Sequence, residues 1–199
     1  MSGPVFEFDE ASHTYTLDGV VIPSVTQIIK PIGADFSMVP PMVLEAKRVL
    51  GVAVHAATEL DDLGELDDAE TDPLVMGYVR AWRRFLAESR FDVSMNEHRL
   101  FHASLRFAGT VDRFGTILDA PWLVDIKTAA DPIPSYGVQL AGYEILLRDF
   151  AYLETRPIRR ATVHLNADGG YRMREYNNPN DAACFRSLLS VHHWKESNK

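Results

Sequence analysis

The 199 residues suffice for one domain with a real core, and 46% hydrophobic with 24% charged residues is ordinary for a globular chain. No apolar run approaches the roughly 20 residues of a membrane-crossing helix, and the single cysteine, Cys184, excludes an internal disulfide and any four-cysteine zinc or iron–sulfur site within the chain. The formal charge of −8 argues against a passive nucleic-acid coat, though not against carboxylates gathered to bind a cation beside a local basic groove.

The chain opens as a small β unit. FEFDE (6–10) and HTYTL (13–17) alternate apolar and polar residues, and Asp18-Gly19 supplies a hairpin turn before VVIP (20–23). Ser24 is placed to cap a short helix, SVTQIIK, that stops at Pro31. After a loop with Gly33, Pro40 and Pro41, the spacing of Leu44, Val49, Val52, His55, Ala56 and Leu60 predicts one long helix over about 42–63. The acidic stretch 61–72 is a break, and Pro73 suits the first turn of a second helix over about 74–91. Its apolar side carries Val75, Tyr78, Val79, Trp82, Phe85 and Leu86.

The period then changes. Segments 93–101, 106–118 and 122–126 read as strands, with Gly115 and Asp119-Ala120-Pro121 as irregularities or turns. A proline-rich loop (131–134) leads to a helix over about 138–150. A closing hairpin joins 162–166 to 171–176 across Asp168-Gly169-Gly170, and a last helix covers about 181–194. There are no repeats, low-complexity tracts or internal linkers. This order predicts a mixed α/β sandwich around a central sheet, as one domain over 1–199 with an N-terminal hairpin and short helix (1–30), a helical part (42–91) and a sheet with flanking helices (93–199).

The informative stretch is GTVDRFGTILDAPWLVDIKTA (109–129). Asp125 and Lys127 are two apart on a strand and so share a face, while Val124 and Ile126 take the other. Charge on one face of a sheet packed on both sides requires compensation by a metal, a phosphate or water. The preceding strand carries Asp112, and a hairpin return brings it beside Asp125. Two carboxylates that close repel unless a divalent cation lies between them, and hard oxygen donors favour Mg2+ or Mn2+. A cation of this kind, with a lysine alongside, supplies what phosphodiester hydrolysis needs. The bland alternative for the same trio is a surface ion-pair cluster on an edge sheet.

These strands resemble the PD-(D/E)XK nuclease superfamily, in particular its RecB-like branch. Further elements of that branch recur in order over roughly 20–150: Gly51 with His55 on an upstream helix, Glu97 on the strand before the first aspartate, and Gln139 with Tyr143 at i and i+4 on the helix after the lysine. Pro23-Ser-Val-Thr26 is similar to a segment of phage-type exonucleases and of the mitochondrial genome maintenance exonuclease. The resemblance implies a restriction-endonuclease-like fold, a mixed central β-sheet flanked by helices. It implies His55, Asp112, Asp125 and the Ile126 carbonyl as ligands of Mg2+ (or Mn2+), and Lys127 as the catalytic lysine. It places Glu97 near the metal, directly or through water, and gives Gln139 and Tyr143 a supporting and DNA-contacting role, with Ser24 touching a phosphate. With one cysteine the chain departs from the iron–sulfur relatives and is similar to the cluster-free exonucleases.

The expectation is therefore a metal-dependent DNA exonuclease of phage recombination or DNA processing, acting on DNA with ends. Its partners would include a single-strand annealing protein, with a homo-oligomer compatible and no membrane. A non-catalytic nucleic-acid-binding module on the same fold and an endonuclease are the alternatives. Lys47 and Arg48, just before His55, are phosphate candidates. Arg80, Arg83 and Arg84, around Trp82 and Phe85, either bind phosphates and bases or form the solvated side of an amphipathic helix. Arg156, Arg159 and Arg160 read as surface charges, and Cys184 and His192-His193 as structural. The opening MSGPVFEFDE lacks a basic, apolar leader, so a cytoplasmic setting is expected.

Overall fold

The computed structural model describes residues 3–129, 131–151 and 156–198; Met1 and Ser2 of the opening segment lie outside them. Strands β1 (Phe6–Asp9), β2 (Thr14–Leu17) and β3 (Val20–Ile22) form an antiparallel sheet. Its β2–β3 turn is Asp18-Gly19, both left-handed (φ 53° and 73°), as a two-residue turn matched to strand twist demands. Helix α1 (Val25–Ile29) follows, then a short 3-10 turn and the long helices α2 (Pro41–Leu63) and α3 (Pro73–Ser89).

The second sheet is mixed and flanked by helices, as expected. It contains β4 (Asp92–His102), β5 (Phe107–Ile117), β6 (Ala120–Lys127), β7 (Arg159–Leu165) and β8 (Tyr171–Glu175), side by side in chain order. Only β6 and β7 are parallel, because α4 (Ser135–Ala151) carries the chain back between them. Helix α5 (Asp181–Ser197) closes the described chain.

Strand alternation builds a core on each side. Trp122, Val124 and Ile126 of β6 pack with Ala161 and Val163 of β7 against α2 and α3, where Val79, Ala81, Trp82 and Phe85 are buried. Leu123 faces the other way, with Val111 and Phe107 of β5, onto α1, α4 and α5. The N-terminal sheet packs Tyr15, Leu17 and Ile22 on Ala108, and the Ala108 amide donates to the Pro23 carbonyl (2.9 Å). That contact ties the small sheet to β5.

Some local expectations are corrected. The spacing that predicts α2 does not mark its buried side: Val54, Ala57 and Thr58 are buried, whereas Val49, Val52, Ala56 and Leu60 are exposed. These exposed residues lie on the side of α2 turned away from α3 and β4, so their apolar character carries no core signal. The β5–β6 turn is Leu118-Asp119, both left-handed (φ 48° and 62°), and Ala120 and Pro121 already belong to β6. Helix α4 starts at Ser135, directly after Pro134. Gly115 does mark an irregularity: a Cβ there would stand 2.0 Å from the Asp92 carbonyl oxygen, beside a register shift between Val93 and Met95. Arg160 is buried, held by Glu144 and Asp181, and is not a surface charge.

Candidate active site

The site forms where β5 and β6 part. Their paired register ends at Arg113 opposite Val124, and one step further the Ile126 amide donates to Asp112 Oδ2 (2.8 Å) instead of to a strand carbonyl. The side chain thus takes the place of a ladder acceptor and fixes the Asp112 carboxylate between the strands. Alternation along β5 slips here: Val111 and Phe114 both pack under α4, while Arg113 reaches the α2–α3 side. Across from this slip, Glu97 of β4 has a left-handed backbone (φ 43°), a conformation costly for a side chain with a Cβ.

Three acids, a histidine and a lysine meet in a cleft of about 220 Å3. His55, Glu97 and Asp112 each offer a ligand atom, all within 4.8 Å of one another. The His55 ring lies between acceptors: Nδ1 is 3.2 Å from Glu97 Oε1 and 3.6 Å from Asp112 Oδ2, and Nε2 is 3.1 Å from the Ile126 carbonyl. A neutral imidazole donates from one nitrogen only, so satisfying both sides requires the imidazolium. Burial works against that charge, but Asp112 and Glu97 outweigh it and bring the pKa of His55 up to about 9.

Asp125 is turned toward Lys127. Lys127 Nζ lies 2.5 Å from Asp125 Oδ2 but off the direction of a hydrogen bond, and Gln139 Nε2 donates to Oδ1 (3.3 Å). Burial, with Asp112 adding to it and Lys127 opposing, lifts the Asp125 pKa to about 6. Asp112 is raised as well, first by burial and then by Glu97. Lys127 is raised: burial disfavours its charge, but Asp125 and Asp112 prevail. The same Gln139 amide donates to the Tyr143 hydroxyl oxygen (3.2 Å), and burial holds the Tyr143 pKa well above its ordinary value. Glu97, Asp112, Asp125, Lys127, His55, Gln139 and Tyr143 are therefore brought together, with the Ile126 carbonyl at the His55 ring.

Ser24 also lines the cleft, but its hydroxyl accepts from the Gln27 amide while Gln27 Oε1 accepts from the Ser24 amide, a reciprocal cap of α1. Lys47 and Arg48 lie on the exposed first half of α2 and do not line the cleft; Arg48 is held by Glu45 (2.7 Å). Arg83 pairs with Asp61 and Asp68, and Arg84 with Glu88, so these two serve helix packing and the solvated side of α3.

Several lining residues were not singled out in the sequence. His13, from the turn before β2, Tyr15 of β2 and Thr26 of α1 also line the cleft, with Tyr15 Oη 2.8 Å from Thr110 Oγ1. Tyr136 covers Lys127, its ring centroid 4.8 Å from Nζ. His164, beside Lys127 on β7, donates from Nδ1 to the Ala129 carbonyl (2.6 Å) and accepts at Nε2 from Thr162 Oγ1 (2.9 Å), fixing the chain just past the lysine. Arg113 is fully buried behind the acids.

Comparison with known proteins gave the following. No family model matches the chain, and no curated protein matches it. Among solved structures it is similar to that titled "Crystal structure of SSO0001", with TM-score 0.36 and 13% identity over 71% of this chain and 70% of that one. It is similar to an alkaline exonuclease (LHK-Exo) from Laribacter hongkongensis, with TM-score 0.35 and 14% identity over 77% and 95%. It is likewise similar to LHK-Exo in complex with dAMP, with TM-score 0.38 and 14% identity over 89% and 93%.

Proposed function

We propose that this chain is a metal-dependent deoxyribonuclease of PD-(D/E)XK type that works as an exonuclease. One observation carries the reading: Asp112, Asp125 and Lys127 converge with His55 and Glu97 in one buried cleft where two strands part. Lys127, Arg113 and a protonated His55 compensate the three acids here; a divalent cation that displaces the His55 proton would take over that role between Glu97 and Asp112.

The donor set fits a divalent cation. His55, Glu97 and Asp112 already stand within ligating reach of one another, while Asp125 Oδ2, buried beside them, faces the Lys127 ammonium at 2.5 Å. His55, Glu97 and Asp112 would hold the ion; Asp125, turned to Lys127, and the Ile126 carbonyl, at the other ring nitrogen of His55, would join the set only after turning toward it. Carboxylates suit Mg2+ and Mn2+, and the imidazole favours the softer Mn2+. When bound, the ion polarises the phosphoryl oxygen and lowers the pKa of an attacking water.

The remaining roles belong to this chain's own groups. Lys127, held by Asp125 and covered by Tyr136, keeps an ammonium where charge develops on the phosphate and where a water is oriented. Gln139 keeps Asp125 in place from the Tyr143 side. His13, Tyr15, Ser24 and Thr26 line the same cleft beside these groups.

The test is digestion of end-labelled single- and double-stranded DNA and of closed circular DNA, with Mg2+, Mn2+ or chelator. The reading expects mononucleotide or short products from ends, none with chelator and none from Asp125→Asn. Residual cleavage by pure Asp125→Asn protein would overturn it, as would wild-type protein without metal-dependent product. Cutting of closed circles would make the enzyme an endonuclease instead.

A further inference from the structure

Among the described residues Arg113 is the largest charged side chain wholly inside the protein, at 0% exposure, and the proposed chemistry does not use it. Its surroundings are specific. Nε donates to Asp62 Oδ2 (2.5 Å), Nη2 to Thr58 Oγ1 (3.1 Å), and Nη1 to both the Asp112 carbonyl (2.7 Å) and Glu97 Oε1 (3.2 Å). The other Asp62 oxygen accepts from Trp82 Nε1 (2.8 Å), and the guanidinium lies over the Trp82 ring at 5.5 Å. His55, Thr58 and Asp62 are at i, i+3 and i+7 on α2 and so share one helix face. One guanidinium therefore joins three things: the helix that brings His55, the backbone of Asp112, and the carboxylate of Glu97.

Glu97 needs such a hold. Its backbone is left-handed, a state that persists only where the surroundings over-determine it, and its Oε1 is shared between His55 Nδ1 and Arg113 Nη1 at 3.2 Å each. An ammonium offers no planar fork and cannot make these four bonds from one place.

We propose that Arg113, anchored on Asp62, is a positioning residue of the cation site: it aims Glu97 and fixes α2, and thereby His55, against β5. This deepens the nuclease reading and rests on it. Because replacing both members of a buried ion pair by apolar side chains is often neutral for stability, the double replacement separates positioning from folding.

The experiment is Mn2+ titration of metal-free Arg113→Lys, Arg113→Met/Asp62→Leu and Glu97→Gln proteins, alongside their melting temperatures. For the double variant a melting temperature near wild type is expected together with Mn2+ affinity weakened about 10- to 100-fold, the usual effect of losing a group that orients ligands. Arg113→Lys keeps a cation opposite Asp62 and tests the same point if the double variant does not fold; it too is expected to bind at least about tenfold more weakly. In a Glu97→Gln background, Arg113→Lys should weaken binding less than it does in the wild type, because the part exerted through the carboxylate is already gone and only the hold on α2 and His55 remains. Wild-type Mn2+ affinity in Arg113→Lys, or in a folded double variant, overturns the proposal, as do fully additive effects with Glu97→Gln. Absence of Mn2+ binding by the wild type overturns the cation reading itself and this proposal with it.

Discussion

The His55 ring makes metal binding a competition with protons, and the cost follows from its environment. With its pKa near 9, the ring is an imidazolium at neutral pH, donating toward Glu97 and the Ile126 carbonyl. A nitrogen can ligate a cation only after losing its proton. Each pH unit below 9 therefore weakens apparent affinity about tenfold, so binding at pH 7 is on the order of a hundredfold weaker than above pH 9. The same shift acts on folding. Because the folded pKa is raised from 6.5 to about 9, the stabilisation is complete below 6.5 and is lost as pH rises through 9. It amounts to about 3 kcal/mol at most. Asp125, raised from 3.8 to about 6, acts in the same sense over a lower window, complete below 3.8 and lost through 6. Metal-free protein should thus melt at progressively lower temperature from pH 6.5 to 9.5, and Mn2+ should restore more at the alkaline end. Calorimetric titration of Mn2+ at pH 7.5 in two buffers of different ionisation enthalpy should show release of about one proton per ion. His55→Gln should bind more weakly and lose that release. No proton release by wild-type protein, or the same pH slope in His55→Gln, would refute the assignment of His55 to the cation site.

Lys127→Met removes the ammonium while keeping side-chain length; cleavage should fall about 10²- to 10³-fold in kcat on a labelled single strand. Mn2+ binding should persist in that variant, and loss of binding instead of turnover would contradict the role given to Lys127. Gly109→Ala places a Cβ 2.7 Å from Tyr143 Cε1 and 3.2 Å from Val25 Cγ2. Urea denaturation should show a loss of about 1–3 kcal/mol, and turnover should drop because the Tyr143–Gln139–Asp125 chain is displaced; unchanged values for both would show that the ring yields freely.

Strand and helix content was readable wherever a side chain's pattern and its burial have the same cause. The α3 stripe from Val75 to Phe85 is buried because a sheet lies against it, and Asp18-Gly19 can hardly do anything but turn. The Asp125-x-Lys127 pair was legible since period two alone puts both on one face. Alternation fails where the backbone leaves its period. The slip at Asp112 and the left-handed Glu97 carry no glycine or proline to announce them, so Arg113's inward course could not be read from spacing. On α2 the helix was legible but its buried face was not, because exposed apolar residues from Val49 to Leu60 lie on the side turned away from the packed Val54, Ala57 and Thr58. The wall of His13, Tyr15 and Thr26, and the Tyr136 and His164 supports of Lys127, depend on contacts between distant segments, which a local pattern does not encode.

The account stands on a cation seated among these side chains. Crystals of the protein grown with Mn2+, measured for anomalous scattering at the manganese edge, locate it directly. The account predicts one peak within about 2.5 Å of an Asp112 carboxylate oxygen and of the His55 ring, absent in Asp112→Asn. A peak elsewhere, or none at Mn2+ concentrations that support cleavage, would contradict it.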